Sequence, residues 1–155
     1  MFGPSLPRTE SANLSQFQFD EPLAAPAGTP ANLFSYTLAT TYIVLDHPGH
    51  KVWLNATIRW YATFTAVGST DVTFTIYRDG MGIFSVTQSV FNPTATPKTI
   101  SNVAHIQYVD TPLWGSTGPF PLAVTYSVSA GTESAGPVFA SGPAILSVVE
   151  VESGL

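Results

Sequence analysis

The chain of 155 residues contains no cysteine and few charged residues. Without cysteine it can form no disulfide, thiolate metal site or thiol redox centre. The chain has five lysines and arginines in total and ten aspartates and glutamates, which gives a formal net charge of −5. Nucleic-acid binding needs clustered cations that neutralise phosphates. Because these five cations are scattered along the chain, we predict no binding to nucleic acids or to an anionic membrane surface.

Long hydrophobic runs are also missing. No segment reaches the roughly 18 apolar residues that a membrane-spanning helix needs. The first 18 residues lack a basic segment followed by an apolar one, so we expect no cleaved signal peptide. We therefore expect the protein to be made in the cytoplasm and, if it ends up outside a cell, to leave by lysis or by a route without a cleaved leader.

The sequence contains no nucleophile elbow, phosphate-binding loop or zinc-protease helix motif. We predict that the protein is not an enzyme and needs no cofactor. Asp46, His47 and His50 share a predicted turn and could hold zinc or nickel, but polar loop residues beside a Pro-Gly pair are the preferred interpretation. Glu150 and Glu152 would lie about 7 Å apart on one strand face and could bind calcium. A solvated terminal face is the preferred interpretation there, so we predict no metal site.

What the sequence does contain is apolar and uncharged. Hydrophobic residues make up 45% of the chain and charged residues only 10%, whereas about 25% charged is usual for globular domains. Such a protein must cover its surface with uncharged polar residues or bury surface against other copies of itself. The composition is therefore a first indication of self-assembly.

From residue 33 onward, apolar and polar residues alternate with the period of two that is typical of strands. The longest such stretch covers residues 51–67. Asp79-Gly80 is a strong tight-turn signal, so we predict a hairpin between 72–78 and 83–90. Residues 34–45 are expected to form a strand pair or one bent strand, and 122–128 another strand.

Two further strands have less regular patterns. Residues 100–110 are expected to be bent or bulged, because Val103, Ile106 and Val109 are not spaced by two. His105 in this strand is expected on the core or a sheet face, with a backbone partner. Residues 131–142 are expected to be a loop, and 143–152 a final strand.

These segments give about eight strands and no helix. We therefore predict an all-β fold, an antiparallel two-sheet sandwich of jelly-roll type. In the final strand, Ile145, Val149 and Val151 are expected on alternate positions. The predicted core consists of Val52, Leu54, Ile58, Trp60, Phe74, Ile76, Val124 and Ile145.

Residues 1–32 differ from the domain predicted over 33–155, because prolines exclude a central strand or helix from most of them. Ser15–Phe19 alternates polar and aromatic residues and is a strand candidate. We predict an extended connector that docks on a neighbouring subunit by strand addition; the alternative is a terminus without a partner. The expected contact residues of this arm are Phe2, Leu6, Leu14, Phe17, Phe19 and Leu23.

Several aromatic residues are expected to point outward. They are Trp53, Tyr61 and Tyr77 on strands and Trp114 in a loop. Outward aromatics can form a sugar-binding platform or pack against a second subunit. The second interpretation is favoured because charge is scarce elsewhere on the chain.

Four segments carry a resemblance to a known group of proteins: VWLNATIRW (52–60), VTFTIYRDG (72–80), IQYVDTPLWG (106–115) and GPAILSVVEVE (142–152). Together they resemble bacterial spore-surface proteins of the exosporium and its appendages, whose jelly roll is of the tumour-necrosis-factor and C1q type. The resemblance implies that the protein is made in the cytoplasm, is placed on the spore surface and contacts other spore-surface proteins. The chain departs from that group in having neither a collagen-like repeat nor cysteine, so any assembly is expected to be non-covalent.

The function that we predict is a structural subunit that assembles with itself into a filament, ring or layer, as a homo-oligomer or polymer. Two alternatives remain open at this point. One is a lectin-like carbohydrate-binding module that uses Trp53 or Trp114. The other is a phage or viral capsid or fibre protein with the same fold.

Overall fold

The computed structural model describes residues 14–20, 36–112, 120–132 and 138–152, and for 14–20 and 36 the description is of the backbone. Every regular element in these ranges is a β-strand. Among the described residues there is no helix long and apolar enough to cross a membrane.

Nine strands follow one another along the described chain. They are β1 Leu14–Asp20, β2 Tyr36–Leu45, β3 Lys51–Phe64, β4 Gly68–Arg78, β5 Met81–Asn92, β6 Lys98–Asp110, β7 Leu122–Gly131, β8 Val138–Ala140 and β9 Ile145–Val151.

The strands form two antiparallel sheets that face each other. The first sheet has the order β1-β9-β3-β6, with the short β8 also paired to β3, and the second has the order β2-β7-β4-β5. Strands that are distant in sequence are therefore neighbours in space, as in the paired Greek keys of a jelly roll. The predicted fold class is confirmed.

Strand β3 is the centre of the first sheet. It pairs along its whole length with β6 on one side, and with β9 and then β8 on the other. Its alternate side chains are buried from Val52 to Phe64, as the period of two predicts. Seven of the eight predicted core residues are buried: Val52, Leu54, Ile58, Trp60, Phe74, Ile76 and Val124.

The eighth predicted core residue, Ile145, is 39% exposed, and the expected register of the last strand is wrong by one residue. Leu146, Val148 and Glu150 are the residues that point into the sandwich, since they pair with the inward residues of β3. The error arises because Val148 and Val149 are both apolar, so hydrophobicity alone does not tell the two faces apart.

The expected bend in the sixth strand is also wrong. Strand β6 keeps an uninterrupted register with β3 from Lys98 to Asp110. Ala104 and Ile106 are buried, whereas Val103 and Val109 are exposed on the outer face. The uneven apolar spacing therefore reflects apolar residues on both faces of a regular strand, with the two valines on the outer face.

The turns and short elements agree with expectation in part. Asp79 and Gly80 both have positive φ, 48° and 83°, as a type I′ hairpin turn requires, and they connect β4 to β5 as predicted. Strand β2 is one strand with a register shift between Thr37 and Ala39. The region expected to be a loop contains the strand β8, which pairs with β3.

Strand β1 lies inside the segment predicted as an arm. It pairs antiparallel with β9 of the same chain, from Leu14 opposite Val151 to Asp20 opposite Leu146. The strand candidate in this segment is thus observed, and it forms one edge of the first sheet. The division of the chain at residue 32 stays a prediction.

We expect Phe74→Ala to lower the free energy of unfolding by about 3–5 kcal/mol, the usual cost of removing a buried aromatic ring. Phe74 is 1% exposed and makes an edge-on contact with the ring of Trp60. Urea denaturation measures the loss. Phe91→Ala is the matched control, because Phe91 is 58% exposed, and its change should stay within about 0.5 kcal/mol.

Candidate functional site

Two acidic side chains lie inside the sandwich at one end of the first sheet. Glu150 and Asp110 both pair with Val52, from β9 and β6 respectively. Residues that pair directly point to the same face, so all three side chains face the second sheet. The two acids are two strand spacings apart, about 10 Å. We name Asp110 and Glu150, with the side chains that bind them, the polar row.

Glu150 is fully buried, so the expected solvated face at this position is wrong. The Nδ1 atom of His50 lies 2.6 Å from its Oε1 atom, and the His50 side chain is 13% exposed. An ionised carboxylate can only accept a hydrogen bond, so the imidazole is the donor. This contact ties the turn between β2 and β3 to the end of β9.

Asp110 joins the two sheets. The Nη1 atom of Arg78 donates to both carboxylate oxygens, at 2.9 and 3.0 Å, and the hydroxyl of Tyr126 donates to Oδ2 at 2.8 Å. Arg78 and Tyr126 pair with each other across β4 and β7 of the second sheet. One carboxylate of the first sheet therefore holds two neighbouring strands of the second.

Burial raises the pKa of the Tyr126 phenol, and the negative charge and hydrogen bond of Asp110 raise it further. The hydroxyl is therefore held in its neutral, donating form. This matches its role in the polar row, because only the protonated phenol can donate to the carboxylate.

The sequence did not single out Asp110, Arg78 or Tyr126. A strand-end aspartate ordinarily lies in solvent, and the wrong expectation of a bulge in β6 hid its register. With a regular register, Asp110 would have been assigned to the same face as Ala104 and Ile106. A buried acid in that position requires a cation, and that requirement is the signal that could have revealed the pair.

The structure brings some of the predicted metal candidates together, because His50 contacts both the ring of His47 and the carboxylate of Glu150. His50 binds Glu150 rather than sharing a site with Asp46, and Glu152 is exposed. Within the described ranges, no three His, Asp or Glu side chains are placed to hold a metal ion. The polar row is thus a set of satisfied buried groups that connect five segments at one end of the sandwich.

The predicted contact residues fall in different places. Trp53 is 41% exposed on the outer face of the first sheet. Tyr61 and Tyr77 are half-buried. Three of the arm residues lie in β1, and the others are outside the described residues, as is Trp114. Those in β1 are Leu14, Phe17 and Phe19, and those outside are Phe2, Leu6 and Leu23.

His105 is exposed on the outer face of the first sheet, which agrees with one of its two predicted positions, a sheet face. Its Nδ1 atom lies 3.3 Å from the hydroxyl of Thr57. The partner is therefore a side chain on the neighbouring strand rather than the expected backbone group.

The outer edge of β6 is a second candidate site. No described strand pairs with it. The backbone oxygens of Asn55 and Arg59 accept hydrogen bonds from Ser147 and Ser141, on the side of β3 away from β6. In an antiparallel ladder, two opposite residues either exchange their backbone hydrogen bonds or both point away from each other. Because Asn55 and Arg59 point away from β6, the residues opposite them on β6 direct their N–H and C=O groups away from β3. The odd-numbered residues of β6 therefore present N–H and C=O groups at the open edge.

Part of this edge is capped by side chains. The N–H of Val103 donates to Oδ1 of its neighbour Asn102 at 2.8 Å, and its carbonyl lies 3.5 Å from Nε2 of Gln88. The odd positions His105, Gln107 and Val109 have no such contact among the described residues. Half of the β6 edge is thus not paired by any described residue.

We expect His50→Ala to destabilise the protein by about 1–3 kcal/mol, because it removes a hydrogen-bond partner of the fully buried Glu150 carboxylate. His50→Gln keeps a hydrogen-bond donor and should recover part of the loss. His47→Ala is the control, because His47 is exposed and its loss should change stability little. Equal unfolding free energies for the His47 and His50 alanine variants would contradict this role.

We expect the protein to lose stability above about pH 10. Tyr126 has a raised pKa in the folded chain, whereas an unfolded tyrosine ionises near pH 10. Above pH 10 the unfolded state therefore binds fewer protons than the folded state. The free energy of unfolding then decreases with rising pH, with a slope from this one group of at most about 1.4 kcal/mol per pH unit. Urea titrations between pH 8 and 11 measure the slope, and Tyr126→Phe should reduce it. An unchanged slope in that variant would show that other groups cause the loss.

No known protein family and no curated protein matches this sequence. A solved structure that is similar is that of dimeric latent PorU from Porphyromonas gingivalis, with 12% sequence identity and a TM-score of 0.44. The similarity covers 97% of this chain and 14% of that chain, so this chain spans a small part of the length of PorU.

Proposed function

We propose that the protein is a structural subunit that assembles non-covalently with copies of itself by pairing the open edges of its sheets. The observation that carries the proposal is the direction of the edge strands. The edges of the first sheet are β1 and β6 among the described strands, and those of the second are β2 and β5.

Successive neighbours in each sheet are antiparallel. Three such steps separate β1 from β6, so these two edge strands run in opposite directions. A second copy that is displaced sideways would place its β1 beside β6 of the first copy in antiparallel orientation. The same count holds from β2 to β5 in the second sheet.

The two edges on each side of the sandwich lie together, since β1 contacts β2 and β5 contacts β6. One sideways displacement would therefore extend both sheets at the same junction. Each junction would join two different surfaces, and such a contact repeats without limit unless rotation closes it into a ring. This arrangement gives a filament or ring, and β1 is the part of the N-terminal segment that would dock on the neighbour.

The acceptor edge has little protection against such pairing. Strand β6 has 13 residues, keeps a regular register and contains no proline. Its only lysine is at its first position, although edge strands usually carry charges, prolines or bulges that prevent pairing. Since Asn102 and Gln88 cap the middle of the strand, the neighbouring β1 would pair with residues 104–110.

The place of this assembly is also a proposal. A spore surface, shared with other spore-surface proteins, rests on the resemblance of residues 52–152 alone. A capsid or fibre subunit would use the same fold and the same edges. The genes beside the coding sequence, for sporulation or for a phage, distinguish these two settings.

The proposal predicts that Gln107→Pro prevents assembly without unfolding the domain. The N–H of residue 107 points to the open edge, so proline removes a donor that β3 does not use, and proline is tolerated on edge strands. Sedimentation velocity and negative-stain microscopy should show large particles for the native chain and monomers for the variant. Circular dichroism and the melting temperature check that the variant is folded.

Ser101→Pro is the matched control, because residue 101 has the same backbone orientation but lies beyond the capped position Val103. It should assemble like the native chain. Val109→Pro is a second blocking variant in the open half. Folded Gln107 and Val109 variants that still assemble normally would show that β6 is not the contact. Deleting the N-terminal segment is a less direct test, since it would also remove the partner of β9.

A further inference from the structure

Two histidine rings meet in the turn between β2 and β3. The ring centroids of His47 and His50 are 5.3 Å apart, and the ring planes are inclined at 72°. His47 is exposed, and the His50 side chain keeps 13% of its surface in solvent. Imidazole nitrogens are ligands that suit zinc, copper and nickel, so the turn offers two such ligands side by side.

A buried carboxylate fixes the orientation of one of the two rings. Nδ1 of His50 donates to Oε1 of Glu150 at 2.6 Å, and Glu150 is fully buried. The hydrogen bond at one ring nitrogen decides which nitrogen can bind a metal, and here that atom is Nε2. The structure shows no hydrogen bond between Nε2 of His50 and a described residue. Metal-binding histidines almost always have this arrangement, in which the other ring nitrogen donates to a carboxylate, a carbonyl or water.

The distance between the two rings fits a single tetrahedral ion. With zinc–nitrogen bonds of about 2.0–2.1 Å, each ring centroid lies about 3 Å from the metal, and two bound rings lie about 5 Å apart at the tetrahedral angle. The observed separation of 5.3 Å is close to this value. Because His47 is exposed, its ring can turn about the side-chain bonds to direct a nitrogen at the ion.

We propose that His47 and His50 bind one zinc ion, with Glu150 as the carboxylate that orients His50. Among the described residues, Asp46 in the same turn included, no third His, Asp or Glu is placed as a ligand, so water fills the remaining positions. Zinc sites usually have more protein ligands, and binding is therefore expected to be weaker than in those sites. The proposal reverses the interpretation of this turn that the sequence favoured, because the sequence did not show the buried partner of His50.

Zinc in this turn would also act on the strands below it. Glu150 belongs to β9, which pairs with both β1 and β3. An ion that binds the folded arrangement more tightly than the unfolded chain stabilises the fold by mass action. We therefore expect zinc to raise the melting temperature of the native chain. The site lies within one chain and does not depend on self-assembly.

The test is isothermal titration calorimetry of the untagged, chelator-treated chain with zinc chloride. Magnesium chloride is the control ion, because magnesium prefers oxygen ligands and keeps its water. We expect one zinc per chain and no comparable binding of magnesium. A native chain that does not bind zinc, or that binds magnesium as tightly, would overturn the proposal.

Variants locate the site. His47→Ala should lower the zinc affinity at least about tenfold, a loss of about 1.4 kcal/mol, and should remove the rise in melting temperature. His47 is exposed, so this variant is expected to fold normally. His105→Ala is the matched control, since His105 is also an exposed histidine but lies on β6, and it should bind zinc like the native chain. Equal affinities of the native and His47→Ala chains, or a loss in His105→Ala, would place zinc elsewhere and reject the site.

The role of Glu150 has its own measurements. Glu150→Gln keeps the shape of the side chain but removes its charge, and it should lower the zinc affinity about 10–100-fold, the usual cost of losing such a partner. Heteronuclear NMR spectra of the histidine rings test the same point in the native chain. With zinc bound, Nε2 of His50 should carry the metal and Nδ1 should keep its proton. Zinc on Nδ1 of His50, or a folded Glu150→Gln chain with unchanged affinity, would contradict the orienting role.

Discussion

The register of β3 against its neighbours is the constraint on which the rest of the structure depends. Strand β3 is paired on both sides, so its alternation decides which residues of β6, β8 and β9 point inward. That one choice buries Asp110 and Glu150 and places Arg59 and Tyr61 outside. A shift by one residue would bring the charge of Arg59 into the core and expose the apolar row, and both changes are unfavourable.

The core is apolar along most of β3 and becomes polar at the end next to the β2–β3 turn. A carboxylate inside a protein is tolerated only when it is paired and hydrogen-bonded, and both acids meet that condition. No described buried side-chain nitrogen or oxygen lacks a partner. Because the paired groups come from different sheets and from a turn, they specify how the two layers are aligned at this end, which hydrophobic contacts alone would leave less well defined.

The sequence predicted the elements whose two faces differ in polarity. Strand β3 and the hairpin around Asp79 were predicted correctly because apolar and polar residues alternate clearly in both. Strand β9 was misassigned because Val148 and Val149 are adjacent, and β6 because valines occupy its outer face. The partners of the buried acids could not be identified from the sequence, since they lie as far apart along the chain as His50 and Glu150, although a regular register for β6 would have shown that Asp110 needs a cation. The capping of the β6 edge by Asn102 is likewise visible only once the direction of each N–H is known.

The pairing of β1 with β9 has a consequence for the newly made chain. Strand β1, the first described strand, finds its partner only when residues 145–151 have been synthesised, on the order of 10 s later at typical rates of about 5–20 residues per second. During that interval β1 lacks the strand with which it pairs in the folded protein. The first sheet can therefore be completed only after synthesis of β9, so one of its edges depends on the last described strand of the chain.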